Sequence, residues 1–182
     1  MNTEFNILHK LTETWGVDQS QIESTATRFF NEYKRLNAQT KKQDQQILNL
    51  QVRSLLKDTE QKTYFVRAEQ ENPTIYIASL PAYAETFKAQ EKGIVFIGSS
   101  YIVGLFGNPA SVNIADLEKT AGELSSKPVK GMKKDNVQFK FKEKGKKPID
   151  VKGILQFQFT GQDFNIDKLC EYFTVHGLKE ME

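Results

Sequence analysis

The stretch Val137–Phe159, VQFKFKEKGKKPIDVKGILQFQF, decides the fold class. An apolar pattern repeats at every second position, through Val137, Phe139 and Phe141 and again through Ile149, Val151, Gly153, Leu155, Phe157 and Phe159, with polar residues at the alternate positions except Ile154. A period of two belongs to a β-strand with one face buried and one face wet. Gly145 and Pro148 interrupt the pattern, so the two runs read as an antiparallel hairpin. Lys140, Lys142 and Lys144 share a parity and line its polar side. Phe139 and Phe141 face the other way, into the core, which argues against their use as stacking platforms for bases.

Working outward, Tyr64–Ala68 and Thr74–Ala78 read as two further strands around a turn that ends at Pro73. Pro81 opens a helix through Tyr83 and Phe87, and Gly93 stops it before a fully apolar strand, Ile94–Ile97. A strand, helix, strand crossover is therefore expected in the middle of the chain. Asn113 caps a helix carrying Ile114, Leu117, Ala121 and Leu124, and Asn165 caps another carrying Ile166, Leu169, Cys170 and Phe173, with Gly177 in the left-handed position beyond it.

The N-terminal third is helical. Phe5, Leu8, Leu11 and Trp15 share one helix face before Gly16, and Asp18 with Gln21 forms a capping box flanked by the spacing of Val17 and Ile22. From there Ile22, Ala26, Phe29, Tyr33 and Leu36 fall at alternating steps of four and three, and the register continues through Thr40 and Gln43 to Ile47 and Leu50. The polar pair interrupts the seam, so the segment is either one long helix or a helical pair reversing near Asn37–Thr40. Its stripe reads first as the core face of an amphipathic helix, with a partner-binding helix through Ile22, Phe29, Tyr33 and Leu36 as the sharper alternative. The whole is expected to be an α+β protein of one domain, residues 1–182. Its helical region, 1–58, precedes a mostly antiparallel sheet of about five strands, 59–182, with helices on one face.

Composition narrows the function classes. With 38% hydrophobic and 26% charged residues, including thirteen Phe, the chain is one that folds. The net charge of +2 conceals an asymmetry: residues 127–147 hold nine lysines against Asp135 and Glu143, a local excess of seven positive charges. Only four basic residues are arginines, so the patch offers flexible point charges and few bidentate forks. Cys170 is the one cysteine, which excludes an internal disulfide, and the first twenty residues lack the pattern of a secretory signal. A reducing, cytoplasmic setting is the expectation. The most apolar stretch, Ile94–Phe106, contains Gly98, Ser99, Ser100 and Gly104 and is shorter than the ~20 residues of a membrane-spanning helix, so no span is expected.

Catalytic constellations are hard to assemble. His9 and His176 lie near opposite ends, and Cys170 sits on an apolar stripe where a cysteine behaves as a small hydrophobe. The glycines at 93, 98, 104 and 107 follow neither a P-loop nor a dinucleotide spacing. Asp116, Glu118, Asp150, Asp163 and Asp167 show no ligand spacing, so no metal, cofactor or catalytic residue is expected. The leading expectation is a non-catalytic binding or adaptor protein, accessory, chaperone-like or regulatory, that binds a protein partner or itself. The rival is a nucleic-acid or other polyanion binder using Lys140, Lys142, Lys144, Lys146 and Lys147, because clustered lysines release condensed counterions from phosphates. A small-molecule pocket between helices and sheet is the third option.

Overall fold

A computed structural model describes residues 3–69, 72–139 and 149–181. The chain forms two compact units, residues 1–44 and 45–182. The first holds helix α1 (Thr3–Trp15), a 3-10 turn at Gln19–Gln21, and the first part of α2 (Ile22–Lys57). The side chain of Gln21 accepts from the Asp18 amide at 3.4 Å, and Gly16 adopts φ +63°, the left-handed turn that ends α1. Inside this unit Trp15 meets Phe29 edge to face at 5.5 Å. Of the two arrangements open for residues 22–57, the continuous helix is the one adopted.

The second unit takes the last part of α2 and then β1 (Thr63–Arg67), α3 (Thr74–Ser79), α4 (Ala84–Gln90), β2 (Gly93–Ile97) and β3 (Tyr101–Phe106). It continues with α5 (Ile114–Glu123), β4 (Lys130–Phe139), β5 (Ile149–Thr160), α6 (Ile166–Val175) and β6 (Lys179–Glu180). Among the described residues six strands form one sheet, in the order β4-β5-β3-β2-β1-β6. The hairpin of β4 and β5, and the β2–β3 and β3–β5 pairs, are antiparallel, whereas β1 runs parallel to β2 and β6. The α+β class holds, with a mixed sheet.

The helices cover both faces of the sheet, where cover on one face was expected. Along β2, Ile94 and Phe96 join one cluster with Leu48, Val52 and Leu55 of α2, Tyr76 of α3, and Ala84 and Phe87 of α4. Val95 and Ile97 join the other with Leu117 and Ala121 of α5 and Leu169, Cys170 and Phe173 of α6. A strand apolar on both sides has to be covered on both sides, and the uninterrupted run Ile94–Ile97 carried that information.

Thr74–Ala78 is helix, contrary to the strand expected there. The Asn72 side chain accepts from the Thr74 amide at 2.9 Å, and Pro73 stands at the N-cap. Tyr76, Leu80, Ala84 and Phe87 then line up at helical spacing, all buried. Five residues, three of them β-branched, do not distinguish the two periods, and packing decides. Tyr76 stacks on Phe96 at 4.1 Å and 19°. The mid-chain crossover therefore runs from β1 through α3 and α4 to β2, consistent with the parallel pairing.

Two glycines shape the sheet. A Cβ on Gly104 would lie 2.4 Å from the Phe157 ring, so this position of β3 is a slot that Phe157 fills from β5. Gly153, at φ +69°, lies where the register of β4 against β5 shifts, opposite the step from Lys134 to Asn136. Asn113 and Asn165 cap α5 and α6 by accepting from the amides of Asp116 and Lys168 at 3.3 and 3.1 Å, and Gly177 follows α6 at φ +82°.

Phe96→Ala removes a fully buried ring and its partner for Tyr76. Denaturant unfolding is expected to show a loss of ~3–5 kcal/mol, the range for a buried Phe truncated where the surroundings collapse only in part.

Candidate functional site

The feature that stands out is the surface of α2. Phe29, Phe30, Tyr33 and Leu36 are 46%, 56%, 65% and 48% exposed, although they form a contiguous apolar and aromatic face on one helix. Of the sequence candidates, Phe29, Tyr33 and Leu36 lie together on it, and Ile22 is half-buried at its N-terminal end. The stripe is thus not the core face. The residues of α2 that enter the core are Leu48, Val52 and Leu55, on another side of the helix. Further along, Ile47 and Leu50 continue the stripe at 48% and 66% exposure.

Phe30 belongs to the face but was missed by the reading of sequence spacing, because it sits one residue off the alternating steps of four and three. Its four-residue distance from Ala26 was the available signal. Cations border the rings: the Arg28 guanidinium lies 5.5 Å from the Phe29 centroid and the Lys34 ammonium 4.2 Å from that of Phe30. Arg35 donates to both carboxylate oxygens of Glu32, at 2.9 and 2.7 Å, and this pair holds the Glu32 carboxyl below its ordinary pKa. Ser24, Thr27, Arg28, Asn31, Glu32 and Arg35 form a polar row beside Phe29 along the same helix.

Lys140, Lys142, Lys144, Lys146 and Lys147 lie outside the described residues. Within the described part of the basic segment, Lys130, Lys133 and Lys134 are exposed on β4, an edge strand, and Lys133 pairs with Asp135 at 3.3 Å. A helix–sheet pocket finds little support beside α3: the gap lined by Ile77, Met132, Lys134, Gln156, Phe157 and Gln158 holds about 10 Å³, less than the room one water needs.

The ionisable groups the fold draws together act as fasteners between elements. Tyr64 of β1 donates to the Asp58 carboxylate just beyond α2, while Lys92, 4% exposed, donates to the backbone carbonyls of Asp58 and Gln61. The phenol, and the Gln61 and Glu60 amides, hold the Asp58 carboxyl down to about 2, and burial with the same hydrogen bond pushes the Tyr64 phenol up. On the other face of the sheet, Tyr172 of α6 donates to Asp116 of α5 at 2.9 Å. The His176 ring lies 4.1 Å from that of Tyr172, tilted by 31°, with Nδ1 2.8 Å from the Tyr172 carbonyl and Nε2 3.7 Å from Asp116. Arg67 joins β1 to α6 and β6 through Asp167 and Glu180, each at 2.7 Å. Cys170 is buried, which raises its thiol pKa and favours the unreactive form. Among the described residues, no group of three or more His, Cys, Asp or Glu side chains is placed to hold a metal ion. Among them, too, no helix is long and apolar enough to cross a membrane.

No protein-family model matches the sequence, and comparison with curated proteins finds no match. The functional reading therefore rests on the geometry of α2.

Two outcomes test this division of roles. Replacing Tyr33 and Leu36 together with Gln is expected to change unfolding free energy by no more than about 1 kcal/mol, whereas Leu55→Ala is expected to cost ~2–5 kcal/mol in the same denaturant titration. Because the Asp58 pKa is depressed on folding, its stabilisation is present above the ordinary carboxylate range and is lost as pH falls toward about 2. Tyr64→Phe should therefore lower the melting temperature at neutral pH, and the gap from wild type should narrow steadily between about pH 5 and 2 as the acid protonates.

Proposed function

We propose that this chain is a non-catalytic binding or adaptor protein that engages a protein partner through the exposed face of α2. The observation that carries the reading is the exposure of Phe29, Phe30, Tyr33 and Leu36 as one contiguous patch. Single exposed hydrophobes are ordinary on a folded surface, but a contiguous aromatic face bordered by polar and charged residues is characteristic of docking sites. Aromatic side chains suit such a role, since they bring large contact area at a small cost in rotamer freedom. Arg28, Lys34 and Arg35 supply a polar rim that excludes water from the edge of the contact. A reducing, cytoplasmic setting agrees with the single buried thiol, Cys170.

The test is site-specific photo-crosslinking in living cells. A photoreactive phenylalanine analogue at position 33 or 36 is expected to yield discrete higher-mass adducts, and the same analogue at Ala38, elsewhere on the helix, is expected to yield none. Equal silence from all three positions would sink the proposal.

The basic segment 127–147 supports a second reading, polyanion binding, through the exposure of Lys130, Lys133 and Lys134 at the sheet edge. Lysines on an edge strand also guard it against pairing with other chains, so the charge alone does not favour a ligand. If the segment binds phosphates, anisotropy of labelled single-stranded RNA should show affinity falling steeply between about 50 and 200 mM salt. Changing the five lysines between positions 140 and 147 to Gln should then remove binding without lowering the melting temperature.

A further inference from the structure

We infer that the partner of the α2 face is a second copy of this chain, packed antiparallel about a two-fold axis between Lys41 and Lys42. The inference rests on the docking role of that face and names its occupant.

The argument starts with register. Phe29, Tyr33, Leu36, Thr40, Gln43, Ile47 and Leu50 follow one another at alternating steps of four and three, the spacing of a two-helix seam, and α2 is helical throughout. Trp15 covers part of Phe29, so the open seam runs from Tyr33 to Leu50. That run is symmetric in composition about its own midpoint: two apolar residues, two polar, two apolar. In an antiparallel pair centred there, Tyr33 faces Leu50 of the second copy, Leu36 faces Ile47, and Thr40 faces Gln43. Every apolar side chain meets an apolar one, and the polar residues meet at the axis, where a mismatched register would bury them against hydrocarbon. This is an isologous contact, the self-complementary kind from which two-fold dimers are built.

Charge selects the direction. The same register sets Glu32 of one copy opposite Arg53 of the other, twice by symmetry, at positions flanking the seam. A parallel, in-register pair would set Glu32 opposite Asn37 and Arg53 opposite Asp58, whose carboxylate is already engaged by Tyr64. Glu32 also holds Arg35, so the new contact extends an existing surface pair and steers orientation more than it adds strength. Lys41 and Lys42 occupy outward positions and stay clear of the seam.

Area sets the strength. With side chains of ~150–250 Å² each, Tyr33, Leu36, Ile47 and Leu50 at their observed exposures leave on the order of 400 Å² of seam open per copy. Two copies then remove about 800 Å² of apolar surface from water, the size of a weak, concentration-dependent contact. Ile47 and Leu50 are exposed, and the residues of α2 that meet the sheet, Leu48, Val52 and Leu55, lie on another side of the helix.

The experiment is sedimentation velocity on the full chain across about 1–100 µM, with disulfide trapping. A concentration-dependent dimer is expected, and Leu36→Glu or Ile47→Glu should weaken it more than about tenfold while leaving unchanged the circular-dichroism melt taken at concentrations where the wild type is monomeric. Mixed Thr40→Cys and Gln43→Cys chains should oxidise to the heterodimer; the native Cys170, 4% exposed, does not compete. A monomer at the highest concentration, or a dimer indifferent to both glutamates, overturns the inference, and predominant homodisulfides overturn its antiparallel register. A monomer that still crosslinks to another protein from position 33 overturns self-association alone and leaves the docking reading standing. A monomer with no crosslink defeats both.

Discussion

The second unit depends on one constraint: β2 and β3 are buried along their whole length on both faces. Two strands with no wet side need hydrogen-bonded neighbours at both edges and apolar cover above and below. The neighbours are β1 and β5. The cover comes from the end of α2 with α3 and α4 on one side, and from α5 and α6 on the other. The parallel entry of β1 follows from the same requirement, since the connection to β2 has to cross a face and deposits α3 and α4 there. Phe157, filling the slot above Gly104 and stacking near Phe106 at 6.0 Å, ties the β4–β5 hairpin into this centre.

Polar chemistry in this fold closes seams. The Tyr64 hydroxyl and the Lys92 ammonium both work on the segment that leaves α2, one on the Asp58 side chain and the other on its backbone, and so tie helix to sheet at the point where the chain changes element. Gln45 and Asn49 on α2 accept from Ser79 and Tyr83 at 2.8 and 2.5 Å and fasten the helix along its length to the crossover. Asp116 with Tyr172, and Arg67 with Asp167 and Glu180, do the same for α5 and α6. Each potential acid, base or nucleophile in these groups is already committed to a neighbour, which directs attention to the apolar face of α2.

That face follows from a helix whose apolar residues exceed what its own fold covers. From Gln45 onward α2 meets the sheet through Leu48, Val52 and Leu55, while Ile47 and Leu50 belong to a different row. A helix takes most of its stability from burying one stripe against something else. Of the two stripes on α2, the second unit covers the row of Leu48, Val52 and Leu55, and the row of Ile47 and Leu50 stays exposed.

Much of this was legible in the sequence because it depends on neighbours along the chain. The Asn113 and Asn165 caps, the left-handed Gly177, the β4–β5 hairpin and the register from Phe29 to Leu50 are set by backbone sterics, local hydrogen bonds and periodicity, and these act over a few residues. The helical state of Thr74–Ala78 was not legible, since its five residues fit either period and only the stacking of Tyr76 on Phe96 separates them. The same holds for the exposure of Phe29, Tyr33 and Leu36: their spacing marks an apolar face, but whether a face is covered depends on what the rest of the chain brings to it. Apart from Thr74–Ala78 and Phe30, sequence by itself determined which residues share a strand or helix face; tertiary structure alone decided which faces meet, because burial belongs to pairs of surfaces and a single segment carries only one of them.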